Sequence, residues 1–97
     1  MSSRRSRLEL VYDILLAIQR KGGEIKPTHL MYKSNLSHKL LQNYIDELTE
    51  KELILLVEEE AKKRRQKSTK RVVITEKGLN FLEEYRKMRE FTDAFGL

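Results

Sequence analysis

Lys62, Lys63, Arg64, Arg65, Lys67, Lys70 and Arg71 put seven positive charges within ten residues, with no acid among them. Side chains of this kind neutralise phosphates and release the counterions condensed on a polyanion. Such contacts supply affinity and position and carry little sequence information. A second group is sparser and differently equipped: Lys39 can donate to the acceptors of guanine, and the amides of Gln42 and Asn43 can pair with adenine. Ser37, His38 and Lys33 lie within a few residues of them. Together they are the candidate contacts to double-stranded DNA. Arg4, Arg5 and Arg7 form a third basic group, read as a flexible arm.

The net charge is +5, and its distribution says more than its size. The two basic segments hold ten of the twenty Lys and Arg residues, while the other ten face all fifteen acids, which leaves the rest of the chain at −5. Segregation on this scale calls for an anionic partner. Catalysis has little to stand on. The chain has no cysteine, which removes thiol chemistry, disulfides and the usual structural zinc sites. His29 and His38 have no carboxylate at metal-ligand spacing, and no glycine-rich phosphate loop or nucleophile motif is present. The expectation is a protein that is not an enzyme and that carries no metal, cofactor or small-molecule ligand. No apolar run reaches the roughly 18 residues a membrane span needs, and no apolar segment follows the N-terminal arginines. A cytoplasmic, nucleoid-associated location is expected.

Ninety-seven residues suffice for one hydrophobic core, and the elements that must carry the polar groups can be read from their boundaries. Ser6-Arg7-Leu8-Glu9 has the form of a capping box, after which Leu8, Val11, Ile14, Leu15 and Ile18 recur at helical spacing up to Gly22-Gly23. A short extended link leads to Pro27, which suits the first position of a second helix. Lys33-Ser34-Asn35-Leu36 forms a turn in which Asn can take the left-handed conformation and Leu36 can plug the core. Ser37 caps a third helix, over 37–51. Its Leu41, Tyr44, Ile45 and Leu48 fall on one face, and Lys39, Gln42, Asn43, Asp46 and Glu50 opposite. Asp46 and Glu50 repel phosphates, so only the first two turns are expected to approach DNA. Residues 53–58 and 71–74 read as strands of an antiparallel hairpin that brackets the basic wing, 59–71. This order is a winged helix-turn-helix, an α+β fold that is mainly α, with three helices and a two-stranded wing. We take residues 1–75 as that domain.

Thr75 caps a last helix over residues 76–97, with Glu76 complementing its dipole. Phe81, Tyr85, Met88, Phe91 and Phe95 fall within an arc of about 120° on it. Leu79 and Leu82 occupy a neighbouring facet, expected to pack on the domain's own core. A core this small cannot cover a helix that projects beyond it, so the aromatic stripe is expected to bury against a second copy, giving a homodimer. The competing arrangement folds the helix back onto the first helix of its own chain.

The run from Ile25 through Lys26-Pro27-Thr28-His29-Leu30-Met31-Tyr32-Lys33-Ser34-Asn35-Leu36 to Ser37 resembles the archaeal 10a family of DNA-binding chromatin proteins. So do Ser6-Arg7-Leu8-Glu9 and Thr75-Glu76-Lys77-Gly78 ahead of a long helix. The resemblance covers nearly the whole chain. It implies a winged-helix domain whose long last helix pairs antiparallel with its copy as a coiled coil, and DNA binding of weak sequence selectivity in chromatin or transcription. The competing function is a protein-interaction module whose basic loop binds an acidic partner protein.

Overall fold

The structure, a computed structural model, describes residues 5–59 and 69–97. Helix α1 (Arg7–Arg20) begins at the expected capping box. The Ser6 hydroxyl accepts the Glu9 N–H at 3.2 Å, and the Glu9 carboxylate accepts the Ser6 N–H at the same distance. The backbone hydrogen bond from Ser6, then its hydroxyl, hold the Glu9 carboxyl below the usual carboxylate range. Gly22 and Gly23, at φ +83° and +96°, end the helix and turn the chain into strand β1 (Glu24–Ile25). The carbonyl of Gly23 accepts from Ile74 at 2.9 Å, tying the turn to the sheet.

Pro27 opens α2 (Pro27–Ser34), and Asn35 closes it in the left-handed conformation at φ +55°. Ser37 caps α3 (His38–Glu50) by accepting the Leu40 N–H. Strands β2 (Ile54–Glu59) and β3 (Thr69–Ile74) follow, then α4 (Glu76–Ala94), capped by Thr75. The Thr75 hydroxyl accepts the Gly78 N–H and donates to the Glu52 carbonyl at 2.7 Å, joining the start of α4 to the entry of β2.

The sheet has three antiparallel strands in the order β1-β3-β2, where a two-stranded wing was expected. The extra strand exists only through its partner: Glu24 and Ile25 lie opposite Val73 and Val72. Strand β3 also starts two residues earlier than the expected 71–74, because Thr69 and Lys70 pair with Glu59 and Glu58. Part of the basic segment is therefore strand.

One core draws on every layer. Ile14, Leu15 and Ile18 of α1, Leu30 of α2, Leu48 of α3, Ile54 and Val72 of the sheet and Leu82 of α4 are almost wholly buried in it. Ser34 is buried beside them and donates its hydroxyl to the Leu30 carbonyl at 2.6 Å. Helix α4 reaches the core because Gly78 lets it sit flush. A Cβ there would lie 2.4 Å from the Leu53 carbonyl oxygen and 2.7 Å from Ile74 Cγ1.

The facet that α4 turns inward differs from the one expected. Leu82 is buried, but Leu79 is exposed, and Tyr85 takes the inner place instead. Tyr85 stacks on Tyr12 of α1 at a centroid distance of 4.5 Å, with half-buried Phe81 stacked behind it at 5.9 Å. The first half of α4 thus does fold back on α1. The second half runs past the start of α1, where Met88, Arg89 and Thr92 share a cleft with Ser6, Leu8 and Glu9, and the molecule is 58 Å long against 31 and 22 Å in its other dimensions.

Candidate nucleic-acid interface

Helix α3 carries the most sharply divided surface of the described chain. Leu41, Tyr44, Ile45 and Leu48 are buried, while His38, Lys39, Gln42 and Asn43 are exposed side by side on its first two turns. The wall behind them is α2, whose Thr28 and Met31 face His38 and Gln42 across a narrow groove. The sequence did not single out one contact within this set: the Gln42 amide nitrogen donates to Asp46 Oδ1 at 2.9 Å. The i, i+4 spacing of Gln and Asp is the signal that could have found it. One amide hydrogen is so engaged, and the carbonyl oxygen and the second hydrogen still offer the acceptor-donor pair that adenine requires.

The acids of α3 are partly compensated. Glu47 is half-buried and forms ion pairs with Arg7 and with Lys51, the latter at 3.4 Å. This contact corrects the picture of a flexible arginine arm. Arg7 is the first residue of α1, and Arg5 donates to Asp13 at 2.9 Å and to the Asn35 carbonyl. Both side chains hold α1 against the helix-turn-helix. Arg4 lies outside the described residues. Lys33 also differs from its expected place, for it lines a cleft with Arg5 and Arg20 on the α1 side of α2 rather than joining the exposed face of α3.

At the base of the wing the structure separates two basic residues that look equivalent in sequence. Lys70 is exposed opposite Glu58. Arg71 sits on the central strand between two acids, 2.7 Å from Glu24 on β1 and 3.9 Å from Glu59 on β2. It fastens the three strands and its charge is locally balanced. Lys62, Lys63, Arg64, Arg65 and Lys67 lie outside the described residues.

The expected aromatic stripe on α4 divides at Tyr85. Phe81 and Tyr85 turn to their own domain, whereas Met88, Phe91 and Phe95 are 44%, 63% and 68% exposed. Phe91 and Phe95 lie 5.0 Å apart. Leu8 of α1 and Leu97 extend the patch beside Met88. Among the described residues no group of His, Asp and Glu could hold a metal ion, and no helix is long and apolar enough to cross a membrane.

The helix-turn-helix, the antiparallel arms after it and the core they share define a winged-helix protein. The family model for the winged helix-turn-helix matches residues 4–93, and the chain belongs to that family, a class of binding modules rather than enzymes. Among solved structures it is similar to Sso10a-2, a DNA-binding protein from Sulfolobus solfataricus, with a TM-score of 0.70 and 24% identity over 95% of this chain and 90% of that one. The resemblance to 10a proteins read from the sequence and this likeness in fold point the same way. The chain is also similar to AbsC, a MarR family transcriptional regulator from Streptomyces coelicolor, with a TM-score of 0.66 and 20% identity over 80% of this chain and 51% of that one. An uncharacterised protein of Methanocaldococcus jannaschii is 38% identical over 53 residues, 55% of this chain. The aligned segment spans only 24% of that relative's length.

Proposed function

We propose that the protein binds duplex DNA as a homodimer with weak sequence selectivity, in the manner of an archaeal chromatin or transcription-regulating protein at the nucleoid. The observation that carries this reading is the face of α3: four adjacent polar side chains, His38, Lys39, Gln42 and Asn43, exposed over a fully apolar opposite face. A helix of this kind lies in the major groove with its first turns at the base edges. Lys39 reaches guanine acceptors, Gln42 and Asn43 offer amides to adenine, and Ser37 and His38 meet the backbone beside them. Lys62, Lys63, Arg64, Arg65, Lys67 and Lys70 of the wing neutralise phosphates alongside. Asp46 and Glu50 confine close approach to the first half of α3.

In this reading residues 1–75 are the DNA-binding unit and residues 76–97 the assembly element, whose first turns also seal the domain core. Met88, Phe91 and Phe95 form the seam between copies, because a contiguous exposed apolar patch marks an interaction site. Antiparallel pairing puts the winged domains at opposite ends of the dimer. A mobility-shift assay on several unrelated duplexes at one stated salt concentration is the test. Shifts of similar affinity on all of them are expected. A shift on one sequence alone would replace weak selectivity with operator recognition, and no shift at physiological salt would turn the basic loop toward an acidic protein instead.

A further inference from the structure

A second basic surface lies on the far side of α2 from the recognition helix. His29 and Lys33 are one turn apart, while Thr28 and Met31, which line the groove to α3, point roughly the opposite way around the helix. On the Lys33 side, α1 and α2 enclose an open cleft of about 600 Å³, with Arg5, Arg20, Lys21 and Lys33 at its edge and Leu16 and Ala17 in its wall. Lys21 also borders a neighbouring cleft of about 390 Å³, lined by Lys26, His29 and Arg71. The two clefts meet at Lys21, and together they are called the track. Its acids are already engaged, Asp13 by Arg5 and Glu24 by Arg71. Arg20, Lys21, Lys26 and Lys33 are exposed and form no ion pair with any described residue.

Local structure does not account for this surface. Arg20 and Lys33 complement the C-terminal dipoles of their helices, but that role requires neither of them to face the other's cleft. Lys21 is the C-cap residue of α1 and Lys26 the N-cap residue of α2; Lys26 makes no side-chain capping hydrogen bond there, and neither belongs to the core. A compact anion would be held by enclosed donors, and every unpaired cation here is solvent-exposed and spread over two adjoining clefts. From Lys26 to Lys33 the track runs roughly 10 Å along α2, about three base-pair rises of a duplex. A charged polymer fits this arrangement.

We propose that the track of Arg20, Lys21, Lys26 and Lys33 binds the phosphate backbone of a second duplex, so that one chain can hold DNA on both sides of its helix-turn-helix. The proposal rests on the reading of the protein as a duplex-binding module, and it does not need dimer formation. The contacts are to phosphates, so binding there is independent of sequence.

The experiment counts duplexes per chain. Duplexes of about 12 base pairs, little more than one helical turn, are titrated into the full-length protein at roughly 50 mM salt, with stoichiometry read by calorimetry and by sedimentation. Two duplexes per chain are expected. A front variant, Lys39→Ala with Gln42→Ala and with Lys63, Arg64 and Arg65 changed to alanine, is expected to keep one. A track variant, Arg20→Ala, Lys21→Ala and Lys26→Ala, is also expected to keep one, and its positions are exposed, so the circular dichroism of the folded protein should be retained. One duplex per chain that only the front variant abolishes would overturn the track and leave the proposed function standing. One duplex per chain that only the track variant abolishes would keep the track as a DNA site and remove the recognition helix from that role. Absence of binding by the unmodified protein would overturn both.

Discussion

Gly78 has a narrower task than flexibility, since it is helical and its role is to have no side chain where α4 crosses the entry of β2. A methyl group there would sit inside contact distance of the Leu53 carbonyl, which is backbone and cannot swing away. Gly78→Ala is expected to cost about 2–3 kcal/mol, within the range for overpacking of a dense core. At about 4–8 °C per kcal/mol for a domain of this size, the melting midpoint falls by roughly 8–24 °C. Calorimetry measures it, and a midpoint at or above that of the unmodified protein would mean α4 can shift outward freely. Glu9 shows the same economy in charge. Its folded-state pKa is lowered, so its contribution is present above the ordinary carboxylate pKa and is lost as pH falls through the lowered value. Glu9→Gln keeps an acceptor for Ser6 but cannot titrate. The unmodified protein should melt higher than Glu9→Gln near neutral pH, and the gap should close as pH falls from the ordinary carboxylate range through the lowered value. A gap independent of pH would show that the carboxylate charge contributes nothing.

At the scale of elements, the wing arms divide their work. Arg71 ties β1, β3 and β2 together, so under the proposed function phosphate contact falls to the basic residues between β2 and β3. Changing Lys63, Arg64 and Arg65 to alanine should weaken binding to all duplexes about equally. It should also flatten the log-log salt slope by roughly 2–3, at about 0.9 per lost phosphate contact. An unchanged slope between about 50 and 200 mM salt would make the loop a solubility feature. The boundaries of these elements were legible in the sequence because they are set locally: Ser6, Pro27, Asn35, Ser37 and Thr75 each do what their chemistry dictates within a few residues. The exposed face of α3 was legible for the same reason, as helical spacing alone sorts it. What escaped depends on partners far along the chain. Two residues of β1 have no periodicity and become a strand only beside Val72 and Val73. Arg5 and Arg7 look like a loose arm until Asp13 and Glu47 are brought beside them. The stripe on α4 has a period but no address, and Tyr12 claims Tyr85 from over 70 positions away.

The whole molecule is more extended than its size requires. Its radius of gyration is 15.2 Å, where a compact chain of this length gives about 12.5 Å. The distal half of α4 carries the exposed Met88, Phe91 and Phe95. Met88→Glu with Phe91→Glu should yield monomers by sedimentation at micromolar concentration, with single-site binding retained and avidity on long DNA lost. If the unmodified protein is already a monomer there, the patch is not a seam between copies. The docking of Tyr85 on Tyr12 has a further consequence. Because the first half of α4 is clamped to the domain, no hinge separates the recognition helix from the distal seam, and the two are held at a set angle as on one shaft. A dimer built this way is a ruler with a torsional phase. Each residue inserted between Tyr85 and Met88 should turn each winged domain by about 100° about its own helix, and because both copies carry the insertion the two ends turn against each other by about 200°, so two inserted residues nearly restore the setting and one reverses it. Binding to pairs of linked sites should therefore oscillate with insertion length, while binding to a single site stays constant. A smooth decline in paired-site affinity would mean that the shaft bends.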